Sequence, residues 1–215
     1  MNENGIIVIG VNGNCIDIAE TIEALAGCGH PVRMLGFLDD AESTQHTDIA
    51  GYPVLGRIAD ASRFEQAAFI NGIGSPRSYR IKPEIIARIA VPQERWATLI
   101  HPTAVVSKHA QIGRGTVLLA NVSIGARARI GAHCIVLQNS VVSHDAVVGD
   151  YTAIASGVCL SGGCVIGTNA YIGSNVSIRD GIHIADHALI GIGSVVVKDV
   201  LAEAIAYGNP ARTRA

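Results

Sequence analysis

One aliphatic side chain recurs every six residues through the second half of the chain. Only 49% of the residues are hydrophobic, so chance does not explain an unbroken series. A strict period of six fits neither the 3.6-residue helix nor a simple strand, and it is typical of a parallel β-helix. The sixteen positions are Val106, Ile112, Leu118, Ile124, Ile130, Val136, Val142, Val148, Ile154, Leu160, Ile166, Ile172, Ile178, Ile184, Ile190 and Val196.

Each six-residue unit predicts one side of a triangular coil, with the aliphatic side chain pointing inward. A mostly small residue stands two positions before each aliphatic one, where it fits inside a corner. Three units make a coil of about 18 residues, so the stretch predicts about five coils stacked at roughly 4.8 Å. Glycine often follows the aliphatic residue, and we expect it there for unusual turn angles: Gly113, Gly125, Gly131, Gly149, Gly167, Gly173 and Gly191.

Composition narrows the class of protein. The net charge is −2 and charged residues make up 16%, so no surface for nucleic acid or membrane is expected. The apolar run at 6–9 is too short for a signal peptide or a membrane span. The five cysteines are an odd number without a C-x-x-C pair, and two of them, Cys134 and Cys164, fall at small corner positions. We therefore expect reduced thiols and a cytoplasmic location.

The first hundred residues carry no period of six and predict a separate α/β unit. Buried strands are expected at 5–10, 32–38 and 67–73, with helices at about 16–27 and 78–90. This alternation predicts a small parallel sheet of Rossmann-like βαβ type with helices on its faces. We expect this domain to span residues 1–98, the β-helix 99–200, and a C-terminal cap or tail 201–215. Trp96 is expected to cover the open end of the prism.

The turn after the first strand is a candidate phosphate site. Gly10, Asn12, Gly13 and Asn14 lead into a helix, whose free N–H groups favour an anion. The turn is not a G-x-G-x-x-G motif, because Asn12 occupies the second glycine position. An ordinary strand–helix turn therefore stays open as the alternative.

Polar residues also follow the other two predicted strands. Asp39 and Asp40 close the second strand, and Gly74 follows the third. Because ligands of such sheets bind at the carboxyl ends of the strands, these positions should converge with the first turn. The two carboxylates could accept hydroxyl groups of a ribose or sugar, although a solvated loop would look the same.

His144 and Asp145 are the candidate catalytic pair. His144 stands two positions after an inward aliphatic residue, on the outside of the prism, and the neighbouring carboxylate could fix its tautomer as a general base. A solvated surface histidine is the alternative. Residues 18 apart stack on adjacent coils, so Gly162 leaves space beside His144, and Lys198 lies three coils away, about 14 Å. The spacing of His183 and His187 does not fit a three-histidine zinc site, and we expect no metal.

Hexapeptide repeats behind a small βαβ domain resemble the bacterial sugar acyltransferases that include bacillosamine, viosamine and perosamine N-acetyltransferases and sialic acid O-acetyltransferases. The resemblance covers nearly the whole chain, and it implies a left-handed coil and a homotrimer with active sites between subunits. The matching segments are 6–13, 36–40, 100–104, 143–145, 191–199 and 208–211.

The resemblance also implies roles for residues. Gly10, Asn12, Gly13, Asn14, Asp39, Asp40 and Gly74 correspond to the region that binds the nucleotide-linked sugar. His144 corresponds to the base that deprotonates the sugar amine, and Asp145 to the residue that orients it. The cosubstrate is acetyl-CoA, and the positions that correspond to its site are Gly162, Ile192, Gly193 and Lys198.

Two departures from the family pattern matter. The opening turn of the family often reads Gly-x-Gly-Gly-His, and several relatives carry a second histidine nine residues after the first, where this chain has Ala153. The resemblance implies N-acetylation of a nucleotide-linked 4-amino-4,6-dideoxy sugar for surface polysaccharide synthesis, and overall likeness favours GDP-perosamine. O-acetylation of sialic acid, or a non-catalytic protein that binds sugar nucleotides, are the alternatives.

Overall fold

The computed structural model describes residues 4–214, and its N-terminal part is a five-stranded sheet with helices. The sheet order is β3-β4-β2-β1-β5, with every pair parallel except β3 and β4. The predicted βαβ unit is confirmed, and the β3–β4 pair extends it at one edge. The elements are β1 (Asn4–Ile9), α1 (Gly13–Gly27), β2 (Val32–Leu38), β3 (Asp48–Ile49), β4 (Tyr52–Gly56), β5 (Ala68–Asn71) and α2 (Lys82–Arg88).

Two predicted elements are longer than the observed ones. Strand β5 ends at Asn71 because its side-chain amide bonds both main-chain groups of Ile73, at 3.1 and 3.2 Å, and turns the chain. Helix α2 begins at Lys82, after a 3₁₀ turn at Tyr79–Ile81. Pro83 has no N–H to donate, so a helix accepts it only in its first turn.

The rest of the chain is a triangular prism of short parallel strands. The seventeen strands from β6 to β22 have two residues each, and a final hairpin follows. The strands are β6 (Leu99–Ile100), β7 (Val105–Val106), β8 (Gln111–Ile112), β9 (Val117–Leu118), β10 (Ser123–Ile124), β11 (Arg129–Ile130), β12 (Ile135–Val136), β13 (Val141–Val142), β14 (Val147–Val148), β15 (Ala153–Ile154), β16 (Cys159–Leu160), β17 (Val165–Ile166), β18 (Tyr171–Ile172), β19 (Ser177–Ile178), β20 (His183–Ile184), β21 (Leu189–Ile190), β22 (Val195–Val196), β23 (Ile205–Gly208) and β24 (Ala211–Thr213).

Three flat sheets form the faces of the prism. The first face is β7, β10, β13, β16, β19 and β22; the second is β8, β11, β14, β17 and β20; the third runs from β6 through every third strand to the β23–β24 hairpin. Paired residues such as Ser123 and Val141 are 18 apart, which confirms the predicted coil. Side chains such as Ile124, Leu160 and Ile178 are at most 2% exposed inside the left-handed prism.

The glycines that follow the aliphatic residues have a different role from the predicted one. None of the seven has a positive φ. A Cβ at Gly131 would instead lie 2.6 Å from the main-chain nitrogen of Asp150 on the next coil. Glycine is needed there because the coils approach closely. The left-handed turn lies two positions further on, at residues such as Arg127 and Asp145 with φ of 59° and 61°.

The N-terminal domain packs on the third face. Three outward side chains of that face, Val117, Ile135 and Ala153, are at most 3% exposed. Trp96 lies between the rings of Phe69 and His133, with centroids 6.1 and 5.0 Å away. The prediction that Trp96 covers the prism end is therefore wrong: the ring packs against the outside of the prism, where the two domains bury it.

Lys82 is the one charged residue buried in the described interface between the domains. Its side chain is fully buried and donates from Nζ to the main-chain oxygen of His133 at 3.2 Å. Loss of water around the ammonium lowers the pKa of Lys82 from 10.5 to about 8. Burial therefore disfavours the charged form that an unfolded chain would carry.

This burial predicts a stability change at alkaline pH. Between pH 8 and 10.5 the unfolded chain binds more protons at Lys82 than the folded chain, so stability from this residue rises with pH. The free energy of unfolding of the wild type, relative to Lys82→Met, should rise by up to about 3 kcal/mol over that window. Urea unfolding at both pH values measures it. The same comparison with the exposed Lys108→Met should give no rise, and an equal rise would contradict the assignment.

Candidate active site

His144 and Asp145 lie at the corner between the first and second faces, which we call the His144 corner. Nδ1 of His144 lies 2.8 Å from Oδ2 of Asp145. The left-handed backbone of Asp145 turns its carboxylate back toward the preceding ring. The His144 side chain is 67% exposed. The predicted pair therefore has the geometry to keep a proton on Nδ1 and leave Nε2 as a base.

Arg127 completes this group, and the sequence analysis did not identify it. It lies one coil before Asp145 in the same corner position, and Nε and Nη2 contact Oδ1 and Oδ2 of Asp145 at 2.6 and 2.8 Å. The Arg127 guanidinium, and after it His144, holds the pKa of the Asp145 carboxyl well below its usual range. Asp145 therefore stays ionised. The 18-residue spacing between Arg127 and Asp145 is the feature of the sequence that could have identified Arg127.

Gly162 lies against the ring of His144 on the next coil. A Cβ at Gly162 would lie 2.6 Å from Cε1 and 2.8 Å from Nε2 of His144. The ring therefore occupies the space that a side chain would take. Within residues 4–214, Nε2 of His144 and the main-chain N–H of Gly162 have no hydrogen-bond partner. A base and a donor thus lie side by side at this corner.

A sheet-edge cleft of about 470 Å³ brings together Gly10, Asn12, Asp39 and Asp40 at the carboxyl ends of β1 and β2. Several of their polar atoms already hold the loops. Asn12 Oδ1 caps α1 through the N–H of Cys15 at 3.3 Å. Asp39 Oδ1 accepts from the N–H of residue 41 at 2.9 Å, and Asp40 Oδ1 accepts from that of residue 58 at 3.0 Å. Within residues 4–214, the second oxygen of each carboxylate has no hydrogen-bond partner.

Asn14 and Gly74 lie in a different cavity, which we call the interdomain cleft. It has a volume of about 240 Å³ and lies between the β1–α1 region and the third face. Gly13 is the first residue of α1, and a Cβ there would meet nothing within 4 Å. The predicted substrate residues thus divide between two clefts. The interdomain cleft is lined by Asn14, Gly74, Ser75, Pro76, Ile135, Leu137, Ala153, Ile154, Ala155, Tyr171 and Ser174.

The predicted acyl-donor residues also divide. Gly162 and Lys198 follow strands β16 and β22 of the first face and belong to the His144 corner. Ile192 and Gly193 lie between β21 and β22, at the corner between the third and first faces, where Ile192 is 76% exposed. Lys198 also lines a small cleft of about 220 Å³ with Arg212 at the C-terminal end. One chain therefore does not bring all four together.

The His144 corner and the two clefts lie on different sides of one chain. The corner joins the first and second faces, whereas the N-terminal domain covers the third face. Sequence reasoning could not predict this, because the period of six gives all three faces the same inward pattern. Among residues 4–214, no three His, Cys, Asp or Glu side chains come together to hold a metal ion. No helix in that range is long and apolar enough to cross a membrane.

Solved structures similar to the whole chain were found, although no family model and no curated protein matches it. The acetyltransferase domain of PglB from Neisseria gonorrhoeae FA1090 has a TM-score of 0.86 and 29% identity, covering 98% of this chain and 100% of that one. A variant of perosamine N-acetyltransferase from Caulobacter crescentus, in complex with CoA and GDP-perosamine, has a TM-score of 0.85 and 25% identity over 99% and 97%. WeeI from Acinetobacter baumannii AYE has a TM-score of 0.84 and 25% identity, covering 97% of this chain and 99% of that one.

The fold and these similarities define the class: the protein is an acyltransferase built on a left-handed hexapeptide β-helix. The similar structures include sugar N-acetyltransferases, which confirms the predicted resemblance.

The contact between His144 and Gly162 gives a testable prediction. In Gly162→Ala the new Cβ should push the ring away and break the 2.8 Å contact with Asp145. Gly162 has no positive φ, so alanine itself is tolerated by the backbone. A crystal structure of the variant should show His144 in another rotamer. Gly27→Ala, where a Cβ meets nothing within 4 Å, is the control. An unmoved ring in Gly162→Ala would contradict the prediction.

Proposed function

We propose that the chain transfers acetyl from acetyl-CoA to the 4-amino group of a nucleotide-linked 4-amino-4,6-dideoxy sugar. The observation that carries the proposal is the His144–Asp145 pair, with Nε2 free, on a prism similar over its whole length to acetyltransferases. The PglB domain was solved with acetyl-CoA, and the perosamine enzyme with CoA and GDP-perosamine. GDP-perosamine is therefore the first acceptor to test, in a cytoplasmic pathway to surface polysaccharide.

The chemistry is a direct attack of the amine on the thioester. The amine nitrogen bonds to the acetyl carbon while Nε2 of His144 takes the amine proton. The C–S bond then breaks, and the proton passes to the leaving sulfur, so no covalent enzyme intermediate forms. The free N–H of Gly162 would donate to the thioester oxygen as negative charge develops there. Ala153 occupies the position of the second histidine of several relatives, so this chain has no second imidazole there to contribute to catalysis.

The nucleotide-sugar would span the sheet-edge cleft and the interdomain cleft. The N–H groups at the start of α1, around Gly13 and Asn14, suit the diphosphate. The free oxygens of Asp39 and Asp40 suit ribose hydroxyls in the sheet-edge cleft. The sugar then extends past Gly74 into the interdomain cleft, whose mixed apolar and hydroxyl lining suits a deoxysugar.

A homotrimer would join the two halves of the site. The outward residues of the first face are uncharged and most are exposed, a surface suited to packing against another copy. Closed symmetry with three copies would bring the His144 corner of one to the interdomain cleft of the next. Coenzyme A would lie in the same groove, with Lys198 meeting a phosphate, and Ile192 and Gly193 supplied by a neighbour. The first-face residues are Val105, Ser123, Val141, Cys159, Ser177 and Val195.

Release of free CoA thiol tests the reaction. The purified protein should release thiol from acetyl-CoA with GDP-perosamine, or with a UDP- or dTDP-linked 4-amino sugar, and should be indifferent to chelator. His144→Gln should lower kcat at least about 100-fold because the base is lost. The exposed His109→Gln is the control and should keep full rate. Turnover on sialic acid alone would favour O-acetylation, and binding without turnover would favour a sugar-nucleotide sensor.

A further inference from the structure

The carboxylate of Asp145 contacts two side chains, Arg127 and His144. Oδ1 is 2.6 Å from Nε of Arg127, whereas Oδ2 is shared between Nη2 of Arg127 and Nδ1 of His144, both at 2.8 Å. The two bonds to Arg127 are parallel and fix the plane of the carboxylate as well as its position. Once that plane is fixed, Oδ2 points at the imidazole.

The coil sets the positions of both partners. Arg127 and Asp145 are 18 residues apart and stand on adjacent coils of one column, in the same left-handed conformation. The next position of the column is Gly163, which has no side chain to compete for the carboxylate. Within residues 4–214, His109, one coil below Arg127, makes no hydrogen bond or ion pair with Arg127 or Asp145. The arginine is therefore the single charged partner of Asp145 besides His144 within residues 4–214.

Stability does not account for this arrangement. The Arg127 and Asp145 side chains are 69% and 41% exposed, and exposed ion pairs contribute little to folding. An exposed carboxylate without a second anchor would rotate in water, and its hydrogen bond to Nδ1 would be intermittent. In water alone, a neutral imidazole has no partner that keeps its proton on Nδ1.

We propose that Arg127 is a positioning residue: it locks the carboxylate of Asp145 in the orientation that holds the proton on Nδ1 of His144 and leaves Nε2 free. The inference rests on the proposed function for its catalytic meaning. The tautomer itself depends on the geometry alone, so it can be tested whichever acceptor the enzyme uses.

The ring nitrogens of His144 provide the direct test. In protein labelled with ¹⁵N in histidine, at a pH that leaves imidazoles neutral, the two ring shifts report where the proton lies. The signal absent from His144→Gln identifies the residue. Wild type should show the Nδ1–H form, and Arg127→Met should shift mainly to Nε2–H. Arg127→Lys, which keeps the charge without the two-pronged geometry, should be intermediate.

A matched control separates this effect from loss of a surface charge. Arg129→Met removes the same charge two residues along, on the exposed outside of the second face, and should keep the wild-type tautomer. Thermal melting should be alike in all the variants. The proposal is overturned if Arg127→Met keeps the Nδ1–H form, or if Arg129→Met loses it equally.

Kinetics give the second readout once an acceptor is established. Arg127→Met should lower kcat about 10-fold while KM for both substrates stays within about 2-fold, because the residue orients the base and does not touch substrate. Arg127→Lys should recover part of the rate. A change confined to KM would assign Arg127 to substrate binding and overturn the positioning role. Failure of every acceptor would count against the proposed function and leave the tautomer result intact.

Discussion

The inward packing of one aliphatic side chain every six residues determines the geometry of the whole prism. Because the coils close after 18 residues, each outward residue lies directly over the residue one coil earlier. Two consequences follow at the His144 corner. Gly162 lies against His144 because the coils are stacked, and Arg127 meets Asp145 for the same reason. The site is therefore built from residues far apart in sequence whose spacing is set by the core.

The second constraint is that one face of the prism is covered. The period of six alone would leave three equivalent faces. The first outward residues of the third face, Leu99, Val117 and Ile135, are apolar, however, and the N-terminal domain buries them. Burial extends to Lys82, whose charge costs free energy because its ammonium has a single carbonyl acceptor there. The interface thus includes a disfavoured group that does not stabilise it at neutral pH.

The sequence predicts the fold well because a strict period leaves few alternatives. The strands, the 18-residue coil and the contact between His144 and Gly162 all follow from counting. The predicted role of the glycines is wrong. Close approach at Gly131 and a left-handed turn at Arg127 are separate requirements, and the period of six does not distinguish them. The division of the substrate residues between two clefts also depends on how the domains dock. How the domains dock depends on tertiary contacts of apolar side chains such as Trp96. The local sequence pattern does not specify which residues such a side chain contacts.

The exposure of His144 bears on how such a site would work. A base that is 67% exposed has water around it, where hydrogen bonds to a developing charge are weak. Under the proposed function, another copy would supply the enclosure, because the two clefts lie on the opposite side of the same prism. Among residues 4–214, the Asp145 carboxylate, which Arg127 holds in place, is the hydrogen-bond partner of the ring, and Gly162 lies against it. Under the proposed function, His144 would be held in orientation before a second copy and the two substrates exclude water.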